Sequence, residues 1–283
     1  MKYPDPFLEV RVQHFDVPAA LAVLCSGFEG GVPRTEGLAD HLFNWIPYVG
    51  LNQELQLELG SHNFIDLLSV AAKHIYTTKK TQSRGELGEI LLHLACILSF
   101  ETIPVMCKLA LKSGANDTVK GYDGVHLVRV EDDFEIWLGE SKFYQGNGTR
   151  AVVDAVSSIA EHFLTEFIHT EKAMIYGHIS KETPHYDELR ALFKTQTSGD
   201  ELIKKAVFPT LICYESKTVG GFNQLSDEYI EALKVEVKAL ESHFAEKCAD
   251  ANIRGIRFQL IFVPIDSKKK LVDRFDKKLE AHQ

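Results

Sequence analysis

The chain is poor in cysteine, has no long apolar run and carries no excess of basic charge. Its five cysteines (Cys25, Cys96, Cys107, Cys213, Cys248) are scattered, odd in number and never spaced C-x-x-C. That argues against a disulfide framework or a cysteine-rich zinc site, and it fits a reducing compartment. The longest apolar stretch, Ile90 to Phe100, holds His93 and Ser99, whereas a membrane span needs about 18 or more apolar residues. Pro4, Asp5, Pro6 and Glu9 leave no room for a secretory signal in the first ten residues. The expectation is a soluble cytoplasmic protein with no membrane contact. Lys and Arg number 31 against 40 Asp and Glu, a net charge of −9. Coating nucleic acid through bulk positive charge is thereby disfavoured; touching DNA through a local patch is not.

What is present is an ordinary globular composition, 45% apolar and 25% charged over 283 residues. No repeat, low-complexity block or Pro/Gly/Ser-rich linker divides the chain. Glu9 to Val12 alternates like a strand, and Gly27 to Gly37, with four glycines and Pro33, reads as a loop. Residues 61–78 look helical. A second helix is expected from about Glu86 to Phe100, capped by Ser83, with Glu86 and Glu89 on one side. Two strands follow, Val125 to Val130 and Phe134 to Phe143, joined by the charged turn Glu131-Asp132-Asp133. A helix over about Thr149 to His169 is expected next. Ala173 to Ile179, Val207 to Tyr214 and Gly255 to Ile265 read as strands. Helices start at Ser226 and Ser267. Strands interspersed with helices indicate an α/β or α+β domain.

The chemistry concentrates between Glu86 and Lys142. Glu140-Ser141-Lys142 places a carboxylate and an ammonium two residues apart, hence on one face of a strand. Asp123 stands at the start of the preceding strand, and Glu86 and Glu89 offer carboxylates from the helix before it. Such a set suits cutting phosphodiesters. Mg²⁺ takes hard oxygen ligands, usually one or two carboxylates, and lowers the pKa of a bound water. A lysine beside the carboxylate orients or deprotonates that water. The tripeptide alone is weak: chance gives about three [D/E]-x-K matches from this composition. Five occur, at Glu140/Lys142, Glu215/Lys217, Glu236/Lys238, Asp266/Lys268 and Asp276/Lys278. Only the first follows a short strand that starts with an acid and, before it, an acidic helix.

That order, helix–Asp–strand–E-x-K–helix, resembles the PD-(D/E)xK nuclease core. The strings Arg84-Gly-Glu-Leu-Gly-Glu-Ile-Leu-Leu-His93, Gly121-Tyr-Asp-Gly-Val-His-Leu127 and Leu138-Gly-Glu-Ser-Lys-Phe-Tyr144 resemble the HamA family of Hachiman antiphage defence more closely. The resemblance implies an α/β restriction-endonuclease-like core, a mixed sheet flanked by helices. One nuclease domain would span residues 1–283, with its core at about 84–214 and elaborations at 1–83 and 215–283. It implies that Asp123 and Glu140 bind Mg²⁺, with Mn²⁺ as a substitute and the Ser141 carbonyl as an extra ligand. Lys142 would position the attacking water, and Glu89, or Glu86 in its place, would complete the acidic pocket. It also implies DNA as substrate and a HamB-like superfamily 2 helicase as partner. The departure is Tyr122, which stands where the family pattern has proline.

Plainer readings stand beside these. Glu140 and Lys142 also fit a solvated strand pair, Asp123 a turn residue, and Glu86 and Glu89 first-turn acids. Glu215/Lys217 reads as an ordinary surface pair, and His93 and His126 as core or surface histidines rather than ligands. Lys73, Lys79, Lys80 and Arg84 precede the acidic helix and are placed to flank a scissile strand, with Tyr144 stacking on a base; Trp137 reads as core. Residues 252–283 hold eight basic against four acidic residues, which fits either DNA contact or a solvated helix. Two other functions remain at this stage. One is a stand-alone restriction or repair nuclease. The other is a catalytically silent scaffold that regulates a partner.

Overall fold

A computed structural model describes residues 2–15, 19–75, 85–111, 119, 121–163 and 165–282. Seven strands form one mixed sheet: β1 (Glu9–His14), β2 (Ala19–Cys25), β5 (Ile103–Cys107), β6 (Gly124–Val130), β7 (Asp133–Phe143), β8 (Ala206–Glu215) and β9 (Phe258–Ile265). Their spatial order is β1-β2-β9-β8-β7-β6-β5. The inner neighbours β2, β9, β8 and β7 run parallel, while β1, β6 and β5 are antiparallel additions at the two edges. The parallel centre explains the sequence of β8 and β9. Both are buried almost throughout, and strands covered on both faces read as continuous apolar runs. The sheet thus draws on the N-terminal and C-terminal parts of the chain as well as on its middle.

Helices cover both faces. One face packs against α1 (Thr35–Asn44), α2 (Ile46–Gly50), α4 (Phe64–Ile75), α5 (Gly85–Phe100) and α12 (Lys268–Glu280). The other carries α6 (Thr149–His162), α7 (Thr165–His178), α8 (Tyr186–Leu192), α9 (Gly199–Lys205) and α11 (Asp227–Asp250). The short α3 (Gln53–Leu57) and α10 (Lys217–Gly221) complete the set. The two serine starts behave as expected: Ser226 Oγ accepts from Tyr229 N and Ser267 Oγ from Lys270 N.

Three local expectations are corrected. Ala173 to Ile179 is not a strand: residues 173–178 form the end of α7 and Ile179 follows it. The buried positions Glu171, Lys172, Ile175 and Ile179 recur at helical spacing, and β7 and β8, being parallel, need a crossover that covers the sheet face. The single helix over 149–169 is two helices, because α6 ends at His162 with Phe163 capping it. The glycine-rich loop contains a hairpin, β3 (Phe28–Glu29) and β4 (Val32–Pro33). Gly30 and Gly31 turn it with positive φ at both central positions. The expected cap Ser83 lies outside the described residues, as does the end of the helix expected over 61–78.

Candidate metal-dependent site

Sheet register brings three chain segments to one point. Gly124 pairs with Cys107 on one side and with Gly139 on the other. The end of β5, the start of β6 and the end of β7 therefore meet. Asp123, just before β6, is clamped through its backbone. Its N–H donates to Gly139 O at 2.9 Å, and its carbonyl accepts from Lys108 N at 3.2 Å. Helix α5 lies close over the other side of β7 because two glycines permit it. A Cβ on Gly139 would stand 2.7 Å from Leu92 Cδ2, and one on Gly88 3.1 Å from Ser141 Oγ.

The acids are buried: Asp123 is 7% exposed, Glu140 6% and Glu89 9%. Asp123 Oδ2 accepts from Ser141 N at 2.8 Å and Ser141 Oγ at 2.6 Å, while Oδ1 accepts from Lys108 Nζ at 3.0 Å. Glu140 Oε1 accepts from Lys142 Nζ at 2.5 Å, and the same ammonium donates to Ser158 Oγ at 2.9 Å. His162 Nε2 stands 3.8 Å from Glu140 Oε2. Burial, and next the charge of Asp123, push the Glu140 carboxyl up to about 7, against the pull of Lys142 and Lys108. Burial also holds His162 down at about 4, so it is neutral near pH 7.

The sequence-derived candidates divide clearly. Asp123, Glu140, Ser141 and Lys142 converge. Glu89 is buried on α5, near enough for its charge to act on Lys108. Glu86 stands partly exposed in the first turn of α5. Lys73 is exposed near the end of α4; Lys79, Lys80 and Arg84 lie outside the described residues. The Tyr144 hydroxyl donates to Asp154 on α6. Trp137 packs in the core against Phe100. Glu215 has a structural job: its carboxylate accepts from Gly146 N at 3.0 Å and Lys268 N at 2.8 Å, clasping the loop after β7 to the start of α12. His93 and His126 are core residues with ring centroids 4.8 Å apart. The basic C-terminal helix spends much of its charge internally, with Arg274 and Lys278 both on Asp40.

Sequence reasoning missed Lys108, Ser158, His162 and Glu171. Ser158 and His162 had a signal: two polar residues at i and i+4 beside the apolar stripe of α6. Glu171 on α7 is 2% exposed and accepts from Tyr122 N at 3.0 Å; burial pushes it up to about 7. Gly121 makes room for it, with φ at 128° and its Cβ position 2.5 Å from the Glu171 oxygens.

The donor chemistry suits a hard cation. Among the described residues no three His, Cys, Asp or Glu side chains group tightly enough to hold a metal ion by themselves. Mg²⁺ needs less: one or two carboxylates, with water and phosphate oxygens for the rest. Two buried, mutually repelling carboxylates provide that. Also among the described residues, no helix is long and apolar enough to cross a membrane. Among curated proteins, none matches this chain. The HamA family profile does match, over residues 1–279. With nearly the full length covered, the chain belongs to the HamA family of Hachiman antiphage defence.

Proposed function

We propose that this chain is the nuclease effector of its defence system, hydrolysing DNA phosphodiester bonds with Mg²⁺ and working with a HamB-like superfamily 2 helicase. The observation that carries the reading is the buried Asp123–Glu140 pair with Lys142 on the same strand end as Glu140. Pressing two carboxylates together away from water costs several kcal/mol unless cations compensate. Folds keep such strain mainly where function uses it.

Asp123 and Glu140 would hold the metal, with the Ser141 carbonyl beside them. The metal, when bound, neutralises the phosphate and makes its water more acidic. The other roles belong to the chain. Ser141 fixes the Asp123 carboxylate through two hydrogen bonds, so its free lone pairs keep one direction. Ser158 and Glu140 together hold the Lys142 ammonium, which would orient the attacking water and steady charge on the phosphate. His162, being neutral, walls the Glu140 side with its ring edge-on to Tyr122 at 4.5 Å, and so limits water there.

The test is cleavage of plasmid and linear DNA with Mg²⁺ or Mn²⁺, with and without the helicase and ATP. Wild type is expected to cut, and Glu140→Ala/Lys142→Ala to lose at least about 10³-fold. Equal cutting by both proteins rejects these residues. Silence of wild type even with helicase and ATP rejects the nuclease reading.

A further inference from the structure

Lys108 has no counterpart in the acid–acid–lysine pattern, yet it is the cation paired with Asp123. It holds that residue at both ends: its backbone N–H donates to the Asp123 carbonyl and its ammonium to Asp123 Oδ1 at 3.0 Å. Its side chain is 17% exposed. The charges of Asp123, Glu89 and Glu140 all act on it. The ammonium is thus paired directly with Asp123 and lies within the field of the other two acids, so a divalent cation approaching Asp123 meets it first.

The cations are divided between the acids. Lys142 pairs with Glu140 and Lys108 pairs with Asp123. Formal charge gives the arrangement a consequence. Three carboxylates against two ammoniums leave these five side chains one negative charge, a poor seat for a phosphodiester. A divalent cation turns that into one positive charge, which one phosphodiester balances.

We propose that Lys108 is the resident counter-cation of the site: it competes with the divalent metal for Asp123 Oδ1, and yields that oxygen when metal binds. The inference rests on the metal-dependent reading above and adds to it. Lys108 makes metal binding weaker than the carboxylates alone would give. It is a positioning residue, acting through Asp123.

Calorimetric titration of the full-length chain with Mn²⁺ alone, without DNA, tests this. Lys108→Met removes the competing charge while keeping the length of the side chain, and is expected to bind Mn²⁺ about tenfold tighter than wild type. Lys108→Arg keeps the charge and can grip Asp123 with two N–H groups, so it is expected to bind about tenfold weaker. Asp123→Asn should bind little in either background. If Lys108→Met does not fold, the Arg variant decides alone. Unchanged Mn²⁺ affinity in the folded Lys108 variants overturns the inference while leaving the metal site standing. Weaker binding in Lys108→Met overturns it as well, since the ammonium would then be aiding the metal. Absence of Mn²⁺ binding in wild type and in all variants overturns both this inference and the metal-dependent reading.

Discussion

Ser141 grips Asp123 with its backbone N–H and its hydroxyl at once. Removing the hydroxyl in Ser141→Ala leaves a buried carboxylate short of one charge-assisted bond, at a cost of about 1.5 to 3 kcal/mol. The denaturation midpoint should fall accordingly; an unmoved midpoint would show that the backbone bond and Lys108 suffice. His93 and His126 make a second prediction at this scale. Burial holds His93 at about 4 and His126 well below its ordinary value. The unfolded chain takes up protons on both as pH falls through about 6.5, while the folded chain does not. These residues therefore withdraw stability as pH drops from about 6.5 towards 4. Glu140 and Glu171 act in the opposite sense, since carboxyls raised to about 7 bind protons in the folded chain first. Melting temperature measured from pH 7 to pH 4.5 should fall less steeply in His93→Gln/His126→Gln than in wild type. An equal slope in both proteins would mean the pair is not held neutral.

At the scale of elements, the closeness of α5 to β7 depends on Gly88 and Gly139. A valine at 139 would meet the Gly124 carbonyl at 3.2 Å as well as Leu92, and backbone cannot swing aside. Gly139→Val should cost about 1 to 3 kcal/mol, read as a lower midpoint in urea. Glu215→Ala should cost about as much, because it strands the N–H groups of Gly146 and Lys268. The elements themselves were unevenly legible. The β6–β7 hairpin could be read because its strands are rich in β-branched and aromatic residues and its turn is charged. The period-2 pattern also put Glu140 and Lys142 on one face, where they are found. The strand reading of Ala173 to Ile179 failed because a short apolar run has no period of its own, and tertiary packing decided it. Lys108 was invisible for a different reason. It is 15 residues from Asp123, and only the β5–β6 register makes the two neighbours. Ser158 and His162 lie on α6, a helix that was expected from the sequence, but these polar positions were passed over.

The whole molecule carries a charge of −9, and α12, its basic end, is tied to α1 through Asp40. Long-range attraction to DNA is correspondingly small. Fluorescence anisotropy on a duplex at physiological salt should give a dissociation constant no tighter than about 10⁻⁴ M for the isolated chain, the weak end of non-specific binding. A micromolar value would point to a basic groove that compensates the net charge. Weak intrinsic affinity is also what a subunit needs if a helicase is to choose where it acts.

The alternation of β7 has one more consequence. Lys142 reaches Ser158 of α6 together with Glu140, whereas Ser141 between them sits against Gly88 of α5 and binds Asp123. The site is thus a rivet through the sheet, with its two heads in different helical layers. Neither layer can drift without shearing it. If the chain cuts DNA as proposed, cleavage in a denaturant series should disappear before helical ellipticity does, so activity would report the tightness of this fold more sensitively than spectroscopy.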